Sequence, residues 1–337
     1  EMKKNKRMTT VAATLSIALL LTAAKAGGKD RVILVLKDNA YGHGAALVGR
    51  EAASYGIKFC AVKNEAEARE LEPFFEHILI LSHIPHGGES ERFIYAVNDI
   101  SLIAKIKQGA RVHIAVDTLM HRNGVAVGEV RAACEAALAH GLQICGAFTH
   151  FRSAEELSSD YFVQRRNFAA AKAVAREICG EGLVFHSHNS AATERFGELA
   201  DECVRVGIAA YGYAQFDESL GLKRVASLWA HKVSGRVLKR GQCAGYGAKF
   251  CASEDMKIAV YDLGYGDGLL RYAGKGELKT ACGRRLLGKM SMDSFCCEDA
   301  GDKICVFDDA SVWADFFGTI SYDVLTKLSP SILRRFE

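Results

Sequence analysis

Two hydrophobic periods alternate along the first two-thirds of the chain. Short, uninterrupted apolar runs bounded by polar turns recur at 32–37, 58–62, 77–82, 100–104, 112–117, 145–150, 183–188 and 203–209. Continuous Val, Ile and Leu predict strands buried on both faces. Between several of them, apolar residues return every three to four positions and the pattern stops at glycine, as in "GEVRAACEAALAHG" and "YFVQRRNFAAAKAVAREICG". That is the signature of amphipathic helices. Eight such strands in βα alternation predict a closed (β/α)8 TIM barrel. After about residue 215 the texture changes to short strands joined by Gly-rich or Lys/Arg-rich turns, which predicts a mostly β C-terminal domain. The expected boundary lies in 215–222, giving a barrel over 1–218 and a β domain over 219–337.

The N-terminus admits two readings. "KKNKRMTTVAATLSIALLLTAAKAGG" has the basic start, apolar stretch and Ala-x-Ala of a secretory signal. It also fits a helix over 11–26 ended by Gly27 and Gly28. The helix is the expectation, because the first strand needs cover. The apolar run is too short for a membrane span.

Composition changes little. With 337 residues, 49% hydrophobic and a net charge of +3, the chain is ordinary globular protein with no sign of a nucleic-acid or membrane partner. Its 11 cysteines are many. Several, Cys60, Cys145, Cys203, Cys243 and Cys305, sit in apolar runs and read as small hydrophobes. An odd count in a long chain argues against a disulfide framework, and the adjacent pair Cys296–Cys297 has the wrong spacing for zinc. The expectation is a reduced cytoplasmic protein with no metal site; the signal-like N-terminus keeps a periplasmic location open.

In a barrel of this kind, chemistry gathers where the strands end. The first run ends in Lys37, with Tyr41 and His43 beyond it. The fifth ends in Asp117 and leads to His121 and Arg122. The sixth ends in Thr149 and His150, the seventh in His186, Ser187 and His188, then Asn189 and Ser190. The eighth carries Arg205, followed by Gly207 and Ile208. A lysine at the end of a buried strand is partly desolvated, so its pKa falls and more of it is free amine, as Schiff-base chemistry requires. A pyridoxal phosphate enzyme needs that lysine, a partner for the ring nitrogen and a phosphate cradle. An aldolase or a phosphate-binding lysine fits the same pattern.

The motifs "VLKDNAYGHG", "DTLMHRNGV", "FTHF", "HNSAA", "VRVGIAAYGY", "GYG", "LGYGDGLLR", "MSMD" and "ISYDVL" stand in the order found in alanine racemases. The resemblance runs from about residue 32 to the C-terminus. It implies a pyridoxal 5'-phosphate enzyme with a barrel and a β domain, working as a head-to-tail homodimer. On that resemblance, Lys37 holds the cofactor and acts as the base on one face of the substrate. Tyr246, from the other subunit, is the base on the opposite face. Tyr41, Tyr322, Ser190, Gly207 and Ile208 match phosphate contacts; His150 packs on the ring and Arg205 meets its nitrogen. Arg122 matches a position near the substrate carboxylate, as does Met292 from the other subunit with Asp293 beside it, and Tyr265 stands at the substrate entrance. The implied activity is interconversion of L- and D-alanine, supplying D-alanine for peptidoglycan. A broad-specificity periplasmic racemase and a cofactor-binding protein with impaired turnover are the alternatives.

Three departures bear on the site. Ala115 replaces a lysine that often braces the arginine matched by Arg122. Leu119 replaces a glycine, with strain expected if that position needs positive φ. Arg152 follows "THF" where a small residue is common.

Overall fold

A computed structural model describes residues 7–10, 12–197, 200–216 and 220–336. The expected boundary between 218 and 219 falls on 217–219, outside the described residues. The chain divides into two compact units: residues 13–40 with 48–223, and residues 1–12, 41–47 and 224–337.

The first unit is the barrel. Its parallel strands are Val32–Val35, Phe59–Val62, His77–Ile80, Ile94–Val97, Arg111–Asp117, Gln143–Phe148, Val184–His186 and Val204–Val206, and the first seven pair consecutively in that order, up to Val184–His186. Val204–Val206 pairs back onto Val32–Val35, and a bridge from His186 to Cys203 brings the last two strands together. The long runs of buried Val, Ile and Leu form these strands because both faces are covered, one by the barrel interior and one by helices.

The fourth strand is not where the sequence pattern put it. Residues 100–104 belong to a 3-10 helix, Ile100–Lys105, and the strand is Ile94–Val97. Asp99 decides this locally, its carboxylate accepting from the Ser101 N–H at 2.8 Å and starting a helical turn. The apolar "FIYAV" just before it is the better continuous run, and all four strand residues are buried.

The N-terminal segment forms the helix Ala12–Ala26. Leu15, Ala18, Leu19, Ala23 and Ala26 are buried at helical spacing while Ile17 and Leu20 stay exposed. Each buried leucine contributes roughly 1.5–3 kcal/mol. The helix closes at Gly27, φ 79°, with the Gly28 N–H bonded to Ala23 O. Among the described residues, no helix is long and apolar enough to cross a membrane.

The second unit is mostly β. Its longest strand, Ala226–Leu238, bends at a bulge near Lys232. Its first half pairs with Lys303–Phe307 and Arg7–Thr10, its second half with Met256–Tyr261, which pairs with Phe295–Glu298. Leu333–Phe336 lies parallel to Arg7–Thr10, so residues near both ends of the chain complete this sheet. Two short helices, Ala310–Phe317 and Ser321–Thr326, pack here, with Trp313 fully buried.

The expectation that no cysteine pair is bonded fails once: Cys243 and Cys251 form a disulfide. The strands Cys243–Ala244 and Phe250–Cys251 are antiparallel and place the two residues directly opposite each other. Strand register, which spacing alone does not reveal, makes the pair. The other nine cysteines are free.

Candidate active site

In the barrel unit, the residues at the C-terminal strand ends converge. Lys37 follows Leu36 at the end of Val32–Val35. The chain then turns the unusual way: Asp38, Asn39, Ala40 and Tyr41 all have φ between 51° and 56°, a left-handed turn. Asp and Asn tolerate that conformation; for Ala40 and Tyr41 it costs roughly 1–2 kcal/mol each. Bonds from the Ala40 N–H to Leu36 O at 2.9 Å and from the Asp38 N–H to Glu67 Oε1 at 2.7 Å hold it. Glu67 also accepts from the Lys63 N–H, and Lys63 pairs with Asp38 at 3.1 Å. Lys63 and Glu67 brace the turn, and no motif pointed to them. Burial lowers the Lys37 pKa, and Arg122 and Arg205 lower it further against the opposing pull of Asp38.

Arg205, 4% exposed, is the hub. Its Nη1 donates to His186 Nδ1 at 2.7 Å, and its Nη2 to Thr149 O at 2.8 Å and His150 Nδ1 at 2.9 Å. A guanidinium can only donate, so both imidazoles accept from it and stay neutral. Burial and then Arg205 push His150 down to about 3. His186 stacks on Phe148 with ring centroids 4.9 Å apart. Its neighbours on the same strand end face other partners. The Ser187 hydroxyl bonds the buried Glu202, and His188 Nε2 meets the Tyr161 hydroxyl at 2.9 Å. They belong to the helix packing behind the barrel.

Ser190 opens the short helix Ser190–Phe196, and its Oγ accepts from the Gly207 and Ala209 N–H groups at 3.2 and 3.3 Å. Ile208, fully buried, starts the turn Ile208–Tyr211. Ser190, Gly207 and Ile208 therefore gather at the loops after the seventh and eighth strands, where barrels commonly bind phosphate.

The departures have structural answers. Ala115 is buried in an apolar cluster with Ala96, Phe148 and Leu81. Leu119 has φ 159°, a positive value at the extended edge of that range. Arg152 donates from Nη1 to Leu119 O at 3.1 Å and pairs through Nε with Asp160. Asp117 accepts from the Leu119 and His121 N–H groups at 3.0 and 3.1 Å. The loop leading to Arg122 is thus held from two sides, while Arg122 itself is exposed.

The second unit gathers its own set. The Tyr41 and Tyr322 rings meet edge-on at 5.5 Å. Tyr265 and Met292 are brought together by Gly264, where a Cβ would lie 2.2 Å from Met292 O; only glycine permits that approach. The Gly266 N–H donates to the same carbonyl at 2.8 Å. Met292 and Asp293 are exposed, and Tyr246 is 64% exposed at the tip of the disulfide-bonded hairpin.

An amine with a lowered pKa, a donor-only guanidinium and a hydroxyl–amide cluster at a phosphate position suit pyridoxal phosphate. The comparisons agree. The profile of the alanine racemase N-terminal domain matches residues 17–215 and that of the C-terminal domain residues 225–336. The chain is 61% identical over 322 residues to an alanine racemase of Campylobacter curvus, covering 94% of this chain and 96% of that protein. It is 53% identical over 312 residues to one from Campylobacter jejuni, covering 93% and 94%. Among solved structures it resembles alanine racemase from D-cycloserine-producing Streptomyces lavendulae, with TM-score 0.87 and 25% identity over 100% of this chain and 98% of that one. It also resembles that of Clostridium difficile 630 in fold, with TM-score 0.90 over 100% and 97%. Two domain profiles in series, relatives similar over nearly their whole length and a matching fold place this chain in the alanine racemase family.

Proposed function

We propose that this protein interconverts L- and D-alanine with pyridoxal 5'-phosphate, as a head-to-tail homodimer that supplies D-alanine for peptidoglycan. The convergence of Lys37, His150 and Arg205 at one end of the barrel carries the reading. When bound, the cofactor withdraws electrons from the substrate's α-carbon and makes its proton acidic.

The remaining work falls to side chains. Lys37 holds the cofactor and exchanges a proton on one face of the α-carbon; burial lowers its pKa and so favours the free amine relative to an exposed lysine. Tyr246 of the second subunit serves the opposite face, so inversion needs no rotation of the substrate. Arg205, which keeps its proton, would face the ring nitrogen as a hydrogen-bond donor. His150 packs against the ring. Ser190, Gly207 and Ile208 hold the phosphate, and the resemblance adds Tyr41 and Tyr322. Arg122, with Met292 and Asp293 of the second subunit, orients the substrate carboxylate, and Tyr265 narrows the entrance. Nine free cysteines favour a reducing cytoplasm; the Cys243–Cys251 bond pulls the other way, and fractionation decides.

The test supplies purified protein with pyridoxal phosphate and gives it L-alanine and L-lysine in parallel. D-alanine alone is expected. D-lysine as well would move the reading to a broad-specificity racemase. Lys37→Ala should lose both turnover and the absorbance of the covalently held cofactor; unchanged turnover would overturn the assignment.

A further inference from the structure

The barrel has a second mouth, at the opposite ends of its strands. A cavity of about 490 Å³ opens there. Its lining includes Val32, Phe59, His77, Ile94, Arg111 and Val184, each the first residue of its strand. None of these residues takes part in the chemistry proposed above.

His113 sits at the floor of this cavity, fully buried. Its tautomer is dictated from the far end of the barrel. Arg205 can only donate, so His186 Nδ1 accepts and the His186 proton lies on Nε2. That N–H faces His113 Nδ1 at 2.9 Å, so Nδ1 accepts in turn. Both imidazoles are neutral, because burial pushes His113 down to about 3 and His186 well below the usual histidine range. A neutral His113 that accepts at Nδ1 must carry its proton on Nε2. This Nε2–H is buried and has no hydrogen-bond partner among the described residues.

A second donor stands beside it on the same strand. Arg111 is two residues away, hence on the same face. Its Nη2 donates to Arg92 O, but its buried Nε has no partner among the described residues. Only glycine fits at 146 against the imidazole; a Cβ there would stand 2.2 Å from Val184 O and 2.8 Å from His113 Nε2. Buried donors are normally satisfied, so two of them lining one cavity call for an acceptor. Phe59, Val32, Ile94 and Val184 supply apolar walls. Lys29, Lys58 and Arg111 outnumber Asp30 and Glu76 in the lining, so the acceptor is best negative.

We infer that the N-terminal mouth of the barrel is a binding site for a small apolar carboxylate, whose oxygens accept from Arg111 Nε and His113 Nε2. The Arg205–His186–His113 chain makes this site a neighbour, through hydrogen bonds alone, of the guanidinium at the other end. Binding at the mouth does not depend on the proposed activity.

Benzoate is a suitable probe on the pyridoxal phosphate-loaded protein. The ¹⁵N-histidine spectrum should show a saturable shift of the His113 Nε2–H signal. Arg111→Gln should weaken that titration at least tenfold, and saturating alanine should leave it unchanged. A crystal grown with 4-bromobenzoate, which needs no variant, should place the bromine between Phe59 and Val184. A titration abolished by alanine and indifferent to Arg111→Gln would put benzoate at the substrate position and overturn the inference. So would a His113 signal that exchanges with water and ignores benzoate, since its partner would then be a buried solvent molecule.

Discussion

At the scale of single residues, the site depends on side chains that hold other side chains. Arg205 fixes the tautomers of His150 and His186 because a guanidinium never accepts. Arg152 is the clearest of the three departures from the family motifs. It ties Leu119 O to Asp160 and steadies the loop that carries Arg122, in a barrel where Ala115 offers nothing polar. Arg152→Ala should lower kcat/KM for alanine by about tenfold with little change in Tm, because a misplaced carboxylate clamp costs rate while an exposed arginine adds little stability. Steady-state kinetics beside a melting curve would show it; unchanged kinetics would remove Arg152 from the site. Lys37 and Arg205 were legible in the sequence because a strand end announces where a side chain points. Glu67 and Lys63 were not, since they brace the Lys37 turn from another strand and helix.

Among elements, two hairpin-sized features were hidden. One is the left-handed turn Asp38–Tyr41, which no local propensity favours at Ala40 and Tyr41; surrounding hydrogen bonds impose it. The other is the Cys243–Cys251 bond, which brackets the loop bearing Tyr246. Cys243→Ser should cost about 2–3 kcal/mol if the closed-loop entropy is realised in full. It should also speed hydrogen exchange across 244–250, read by mass spectrometry. Thiol labelling of both cysteines in the untreated protein would show that the bond does not form. The fourth strand was misplaced because residues 94–97 and 100–104 are both short apolar runs. The Asp99 cap, not hydropathy, separated strand from 3-10 helix.

For the molecule as a whole, acid and assembly give the remaining tests. Burial pushes the Glu89 carboxyl up, but N–H groups of His86 and Lys107 and the His83 ring outweigh it and hold it at about 2. Its folded pKa lies below its ordinary 4.5, so its contribution of roughly 3 kcal/mol is present above pH 4.5 and is lost as pH falls towards 2. Denaturant melts of wild type and Glu89→Gln should converge across that window; parallel curves would show that Glu89 is not the group titrating. The proposed dimer predicts complementation. Lys37→Ala and Tyr246→Phe should each be nearly inactive alone. Mixed after refolding together, they should regain about a quarter of wild-type activity, because each mixed dimer carries one intact site. No recovery would mean that Lys37 and Tyr246 act within one chain.

The sequence by itself determined the class of fold, seven of the barrel strands to within a few residues, the N-terminal helix and the family. These rest on periodicity and ordered motifs, which are local properties of a chain. Tertiary structure alone decided the strand Arg7–Thr10, the Cys243–Cys251 pairing, the left-handed turn after Lys37 and the hydrogen-bonded line from Arg205 to His113. Each of these depends on which distant residue a strand register or a barrel closure brings opposite. Hydrogen bonds act over about 3 Å in space, whatever the separation along the chain.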